Sequence, residues 1–489
     1  MRQVMYKMGL IKGIEKLAKH KDISINEEMY RQIEAWKELY KGYYETWHKI
    51  TYQTVEGKKA RRMDTLNMAK TSANEMASLV FNEKCDISIS DDGLKEFIDD
   101  VLKHNKFDKK FQDYLEYSFA MGGMVIKPYV EDGEIKLSFV TADCFIPLQW
   151  NNETITGGVF LNETKKGDKK YTHLEWHYFD KGVYHIVNEV YESKNGDDLG
   201  VKIDLSTIYP ELEERTGIAG LKKPIFIYIK PNTANNIDTQ SPLGISLYAN
   251  ALDTMKAIDT AFDSFNREFR LGKKRIIVPS HMVKTVIDPT NGTAKRYFDS
   301  SDETYEALHT DNMDDMKIQE MNVTLRVDEH IAAINALLNI FAMQTGFSSG
   351  TFTFDGESMK TATEVISEQS KTFKSKQSHE IIIESGLQEL IDSIVAIAEL
   401  HDLYSAPNDY EVTIAFDDSI AEDKAAEIEK QAQMVINGLQ SKKRAIMKVH
   451  GVTEEEALEI LKEIAEEEKQ NMPEVDELRN ESVLFGAME

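Results

Sequence analysis

Apolar residues recur every three or four positions through the first 120 residues, alternate over the next hundred, and return to helical spacing for most of the remainder. "NEEMYRQIEAWKELYKGYYETW" and "TLNMAKTSANEMASLVFN" each place aromatic and aliphatic residues on one helical face. "GLKEFIDDVLKHNKFDKKFQDYLEYSFAMGG" adds two amphipathic helices that stop at a Gly pair suited to a C-terminal cap. The basic stretch "VEGKKARR" between the first two helices reads as a solvated turn. From Met124 the period is two: "MVIKPYVEDGEIKLSFV" and "YTHLEWHYFDKGVYHIVNEVYES" are hairpins around "EDGE" and "DKG". An antiparallel β-rich module therefore spans 124–230, and the Pro/Asn-rich connector "KPNTANNIDTQSPLG" closes it.

Past Gly244 the helical stripe is Tyr248, Leu252, Met255, Ile258, Phe262, Phe265 and Phe269, with Asp253, Lys256, Asp259, Asp263 and Arg267 on another face. This helix stops at "LGKKR". Strands are expected at "RIIVP" and "MNVTLRV", with a turn at "DPTNGT". Val327, Ile331, Ile334, Leu337, Leu338 and Phe341 then mark a second helix of about 18 residues. Two helices flanking a small α/β insertion form a hairpin that displays the insertion at its tip.

"TGFSSGTFTFDGESMKTATEV" interrupts the helical pattern next. Connections between packed antiparallel helices usually need about 2 to 8 residues, and longer ones are commonly functional. The helix that resumes, over 361–404, has a first half that is polar on every side except Phe373, so burial in its own core is not expected for that half. Its second half, "IIIESGLQELIDSIVAIAEL", is densely apolar. The strand "YEVTIAF" and a helical C-terminal module follow, with capping boxes at Ser419/Glu422 and Thr453/Glu456 and a short acidic tail. The elements add up to an α+β chain, mainly helical, and its length calls for more than one module.

Charge and chemistry narrow the function. A net charge of -26 argues against tight binding to nucleic acid or anionic membrane, since such affinity comes from Lys and Arg displacing counterions. The two cysteines, Cys85 and Cys144, exclude a disulfide scaffold and read as small buried apolar residues. "MRQVMYKMGLIKGIEKLAKH" is a short amphipathic helix rather than a signal peptide, and no apolar run approaches the roughly 20 residues of a membrane span. No GxxxxGK[ST], GxGxxG or GxSxG motif is present, so neither an intrinsic nucleotide motor nor a serine hydrolase is expected. "HLEWH" suggests a metal, but on a strand His173 and His177 stand roughly 13 Å apart, too far to share one ion. No catalytic residue, metal site or cofactor is assigned. Exposed helical stripes on such a chain suggest lateral packing of identical copies in a ring, with the insert projecting into the hole.

The stretches "GKKARRMDTLNMAKTSANEMASLVFNEKCDI", "FAMGGMVIKPYV", "ADCFIPLQW", "ANNIDTQSPLGISLYANALDTMKAIDTAFDSFNREFRLGKKRI", "GTFTFDGESMKTATEVISEQSKTF" and "INGLQSKKRAIMKVHGVTEEEALEIL" carry a resemblance. In their order the chain resembles the portal protein of tailed double-stranded DNA bacteriophages, of the type found in long-tailed phages of Gram-positive hosts. The resemblance implies a non-enzymatic ring, usually of twelve subunits, in the virion at one capsid vertex after assembly in the host cytoplasm. It implies a wing over 1–240, stem helices over 241–271 and 325–345, a clip over 272–324, a tunnel loop over 346–360, a long helix across the wing over 361–404 and a crown with tail over 405–489. The tunnel loop would meet DNA through Gly346, Phe347, Ser348, Ser349, Thr351, Phe352, Thr353, Phe354, Asp355, Glu357, Ser358 and Lys360. Lys273, Lys274 and Arg275 would meet phosphate or dock a partner at the clip, or complement a helix end. Implied partners are double-stranded DNA, the terminase large subunit, scaffolding protein, major capsid protein and a head-completion protein. Two other readings stay open: a metallohydrolase using His173, Glu175 and His177, and a monomeric adaptor with a mobile linker at 346–360.

Overall fold

The computed structural model describes residues 27–464 except 55–56, 82–84, 153, 195–198, 273–274, 278–283, 288–293, 298–318, 322–323, 355–361, 408, 417–423, 451–456, 459 and 463. The expected N-terminal helix, both capping boxes and the acidic tail lie outside the described residues. The chain divides into two compact units, Met1–Phe416 and Asp417–Glu489.

Four helices open the first unit: α1 (Glu27–Tyr40), α2 (Met68–Val80), α3 (Asp92–His104) and α4 (Phe107–Met121). α1 buries Met29, Tyr30, Ile33, Trp36 and Leu39 at the spacing its sequence announced. It ends sooner than expected. Gly42 at φ +76° turns the chain, a single helical turn at Glu45–His48 follows, and β1 (Lys49–Thr54) pairs with β2 (Gly57–Arg62). The basic stretch is thus a strand and not a turn; every described residue of the hairpin is at least partly exposed, so no apolar alternation advertised it. α3 starts at Asp91, whose carboxylate accepts from the Leu94 N–H at 2.7 Å.

α4 stops at Gly122, as the Gly pair predicts, with φ +86°. This glycine also sits where a Cβ would meet the Gly244 carbonyl at 2.6 Å. That approach holds the start of the later helices against α4, and the Leu247 N–H donates to the Phe119 carbonyl at 2.8 Å beside it.

β3 (Asp86–Ile89) precedes α3, and the two antiparallel sheets follow α4. β4 (Met124–Glu131) and β5 (Glu134–Thr141) form the hairpin around "EDGE". β6 (Phe145–Asn151), β7 (Thr154–Lys166), β8 (Lys169–Asp180), β9 (Val183–Ser193) and β10 (Val201–Ile203) run in the order 10-9-8-7-6, with β11 (Arg215–Ala219) also on β9. β12 (Ile227–Ile229) joins β4 to complete a three-stranded sheet.

After these come α5 (Leu252–Leu271), the short strands β13 (Arg275–Ile277), β14 (Lys284–Ile287), β15 (Ala294–Tyr297) and β16 (Gln319–Met321), then α6 (Val327–Gln344), α7 (Ala362–Leu400) and β17 (Val412–Ala415). β13 pairs with β16 and β14 with β15, both antiparallel. β16 meets the expected "MNVTLRV" only at Met321, and Val327, expected in the strand, opens α6 instead. β17 returns to pair with β3, tying residue 412 to residue 89.

One hydrophobic cluster runs through α1, α2, α4, the three-stranded sheet, the inner faces of α5 and α6, and Ile383 to Ala398 of α7. The polar first half of α7 departs from expectation: Lys376, His379 and Glu380 are buried. Lys376 and Glu380 pair at 2.9 Å one turn apart, and the Asn232 N–H donates to His379 Nδ1 at 3.0 Å, so the connector at 230–244 covers this polar face. In the second unit α8 (Lys424–Ile436) packs on α9 (Lys442–His450) across a turn containing Gly438 at φ +67°.

Candidate functional site

α5 and α6 form the expected hairpin. Arg326 and His330, at the start of α6, reach Glu268 near the end of α5 at 3.1 and 3.8 Å, and Phe265 packs edge-on against His330. The turn Ala249–Ala251 that leads into α5 touches α6 at the other end.

The apolar stripe of α5 grades along its length. Tyr248, Met255 and Ile258 are buried, Phe262 and Phe265 half-buried, and Phe269 exposed. Asp259 and Asp263, expected on the polar face, are buried instead. Asp259 accepts from Thr65 Oγ1 at 2.7 Å and the Leu66 N–H at 3.1 Å, and lies 3.0 Å from His48 Nε2. Asp263 receives both arms of the Arg61 guanidinium at 2.6 Å and the Asp64 N–H at 3.2 Å. Arg61 holds the Asp263 carboxyl below the usual carboxylate range. Two buried acids thus fasten α5 to the β1–β2 hairpin and the strand exit behind it.

The insert after α6 begins as a helix cap. Gly346 adopts φ +84°, the Thr345 N–H returns to Phe341 O at 3.0 Å, and the Phe347 N–H returns to Ala342 O at 2.8 Å. From there residues 347–354 are fastened on two sides. Ser348 and Thr372 exchange hydrogen bonds: the Ser348 N–H donates to Thr372 Oγ1 at 2.8 Å and the Thr372 N–H to Ser348 Oγ at 3.1 Å. Ser375 Oγ donates to the Gly346 carbonyl at 2.7 Å. From α6, Asn339 Oδ1 accepts the Gly350 N–H and Asn335 Oδ1 the Phe354 N–H, each at 2.8 Å. Phe352 packs on Phe347 and Phe341, and Phe354 on Phe262 and Phe265.

This arrangement corrects part of the sequence reading. Phe347 and Ser348 are buried, at 0% and 3% exposure, so their side chains support the segment from inside and offer no surface to a duplex. The surface is carried by Ser349, Thr351 and Thr353, with Gly350, Phe352 and Phe354 half-covered. Asp355, Glu357, Ser358 and Lys360 lie outside the described residues, as do Lys273 and Lys274. Arg275 opens β13 opposite Met321. Nothing in the sequence singled out Asn335, Asn339, Thr372 or Ser375; the one signal was the presence of residues that favour caps and turns inside helical pattern.

The "HLEWH" residues lie on β8 and each imidazole has a fixed partner. His173 Nε2 lies 3.0 Å from Asn188 Oδ1. His177 Nε2 lies 2.9 Å from Glu175 Oε1, its Nδ1 lies 2.8 Å from the Tyr184 hydroxyl, and Lys127 pairs with the other Glu175 oxygen. Burial pushes the His177 imidazole below its usual range, whereas Lys127 and His177 together hold Glu175 ionised against burial. Among the described residues no three His, Cys, Asp or Glu cluster to hold a metal ion. Both cysteines are half-buried and not fully buried, and burial pushes their thiols up, to about 12 for Cys85 and about 11 for Cys144.

The family profile described as "Phage portal protein, SPP1 Gp6-like" matches residues 19–470, from before α1 to beyond α9. The chain belongs to the phage portal protein family. No match is found among curated proteins. Among the described residues no helix is long and apolar enough to cross a membrane. The portal match spans the hairpin, the pinned insert and the β-rich module, and portal proteins are structural components of the bacteriophage capsid.

Proposed function

We propose that copies of this portal protein close into a ring of about twelve at one capsid vertex and form the channel through which the phage genome is packaged, retained and ejected. The observation that carries this is the family match over residues 19–470. On this reading the wing spans 1–240, the stem is the α5–α6 hairpin, the clip is 272–324, the tunnel loop is 346–360, α7 crosses the wing, and 405–489 form the crown and tail. The clip docks the terminase large subunit during filling and a head-completion protein afterwards, while scaffolding and major capsid proteins surround the wing. The protein is the passive conduit; the terminase supplies the work.

Ser349, Thr351 and Thr353 are the exposed side chains of the described loop, and on this reading they meet a passing duplex. Deleting Thr351–Asp355 would also remove the packing of Phe352 and Phe354, so the cleaner test is Thr353→Glu. Native mass measurement should give a ring for both the parent and this variant, and a DNA packaging assay should show reduced packaging or retention for the variant alone. Single chains at every concentration, with scaffolding protein present, would end the ring reading; unchanged packaging would remove the loop from the DNA path.

A further inference from the structure

α6 has two apolar faces, and among the described residues its own chain covers one. Ile334, Leu338, Phe341 and Ala342 are buried against the core. On the opposite side Ala332, Ala333, Ala336, Ile340 and Met343 are exposed, Ile340 at 43% and Met343 at 58%. No charged residue follows His330 in the helix, although a face left in water ordinarily carries charge. The bare face, from Ala332 to Met343, runs for roughly 17 Å at about 1.5 Å per residue.

We propose that this face packs against the outer face of α5 in the next copy of the chain, an inference that rests on the ring reading and names its contact. That outer face presents Lys256, Thr260, Ser264, Arg267 and Leu271, all exposed. Thr260 Oγ1 donates to the Lys256 carbonyl at 2.7 Å and Ser264 Oγ to the Thr260 carbonyl at 2.8 Å, so neither hydroxyl proton loses a partner when water is excluded.

Charge sets the register. Within one copy the end of α5 lies beside the start of α6, as the Glu268–Arg326 and Glu268–His330 contacts show. Rotation about an axis along the hairpin preserves height. The exposed Asp328 and Glu329 of one copy therefore come level with the exposed Arg267 and Arg270 of its neighbour. Counting back along both helices brings Ala336 level with Thr260, and Ala332 level with Ser264. Small residues meet small residues there, which permits interaxial spacing near 8 Å.

The test is disulfide trapping in the full chain with Cys85 and Cys144 replaced by Ala. Thr260→Cys with Ala336→Cys, and Ser264→Cys with Ala332→Cys, should each give a ladder of covalent oligomers at least tenfold above any single-cysteine variant. A ring of unchanged mass with no ladder from either pair overturns this inference and leaves the ring reading standing. Single chains in the parent protein overturn both. A second arm avoids cysteines: Glu329→Arg should lower the ring fraction and Arg267→Glu should restore it, whereas no loss or no restoration contradicts the assigned register.

Discussion

Asp263 is a buried acid whose loss leaves charged and backbone donors without their acceptor. It carries three hydrogen bonds, two of them from a guanidinium, at a site that is mostly dry. Asp263→Ala strands Arg61 and the Asp64 N–H, and hydrogen bonds to charged groups are worth about 1.5 to 3 kcal/mol each. The expected loss is about 3 kcal/mol in urea unfolding, below the sum of the three bonds because the partly exposed Arg61 regains water, with Asp263→Asn losing less because it keeps one acceptor. His379 gives a pH-dependent counterpart. Its Nδ1 accepts from Asn232, and burial lowers its pKa from 6.5 to about 4. The unfolded chain takes up a proton below about pH 6.5 and the folded chain refuses it until about pH 4, so stability is full above 6.5 and falls as pH drops through that window. The slope approaches 1.4 kcal/mol per pH unit for this one group. His177, also lowered by burial, acts in the same direction. His379→Gln should flatten the fall in Tm between pH 6.5 and 4; an unaltered slope would remove His379 as its source.

At the scale of elements, the insert is held by groups from two helices, and each contact can be released separately. Asn335→Ala and Asn339→Ala free the Phe354 and Gly350 amides, so hydrogen exchange at those amides should accelerate at least tenfold while α5 and α6 stay protected. Gly346→Ala should cost more than either, because a Cβ there adds strain at φ +84° and meets Ser375 Oγ at 2.8 Å. These contacts also mark how far sequence pattern reaches. The periodic elements were legible: α1, α4, α5, α6, the "EDGE" and "DKG" hairpins and the Gly122 stop follow from spacing and turn chemistry alone. The β1–β2 hairpin was not, since neither of its faces is buried and nothing alternates. Asp259, Asp263, Lys376 and His379 were misplaced for one reason: helical periodicity assigns polar residues to water, yet Asp259, Asp263 and His379 are bonded by partners from over a hundred residues away in sequence, and Lys376 is buried in a pair with Glu380. Of the candidate loop, the position was legible from the broken period, while its attachment to Asn335, Asn339 and Thr372 depends on tertiary neighbours that no local pattern encodes.

For the whole assembly the decisive quantity is charge. On the proposed ring of about twelve, -26 per chain would add up to about three hundred net negative charges. Only those within about a Debye length of the lumen, roughly 10 Å at 0.1 M salt, act on a duplex inside it. Where acidic groups dominate that layer, the wall repels phosphate and a duplex slides without being gripped. This has a sign that separates a conduit from a DNA-binding ring. A basic channel holds DNA through counterion release, so its affinity falls steeply as salt rises. An acidic channel opposes entry, and added salt screens the opposition, so entry becomes easier. Rings of this protein inserted in a membrane pore should therefore capture double-stranded DNA more often as salt rises from 0.1 to 0.5 M. A capture rate that falls over the same range would mean that basic residues, with Lys273, Lys274 and Arg275 the first to replace by Gln, line the narrowest part of the path.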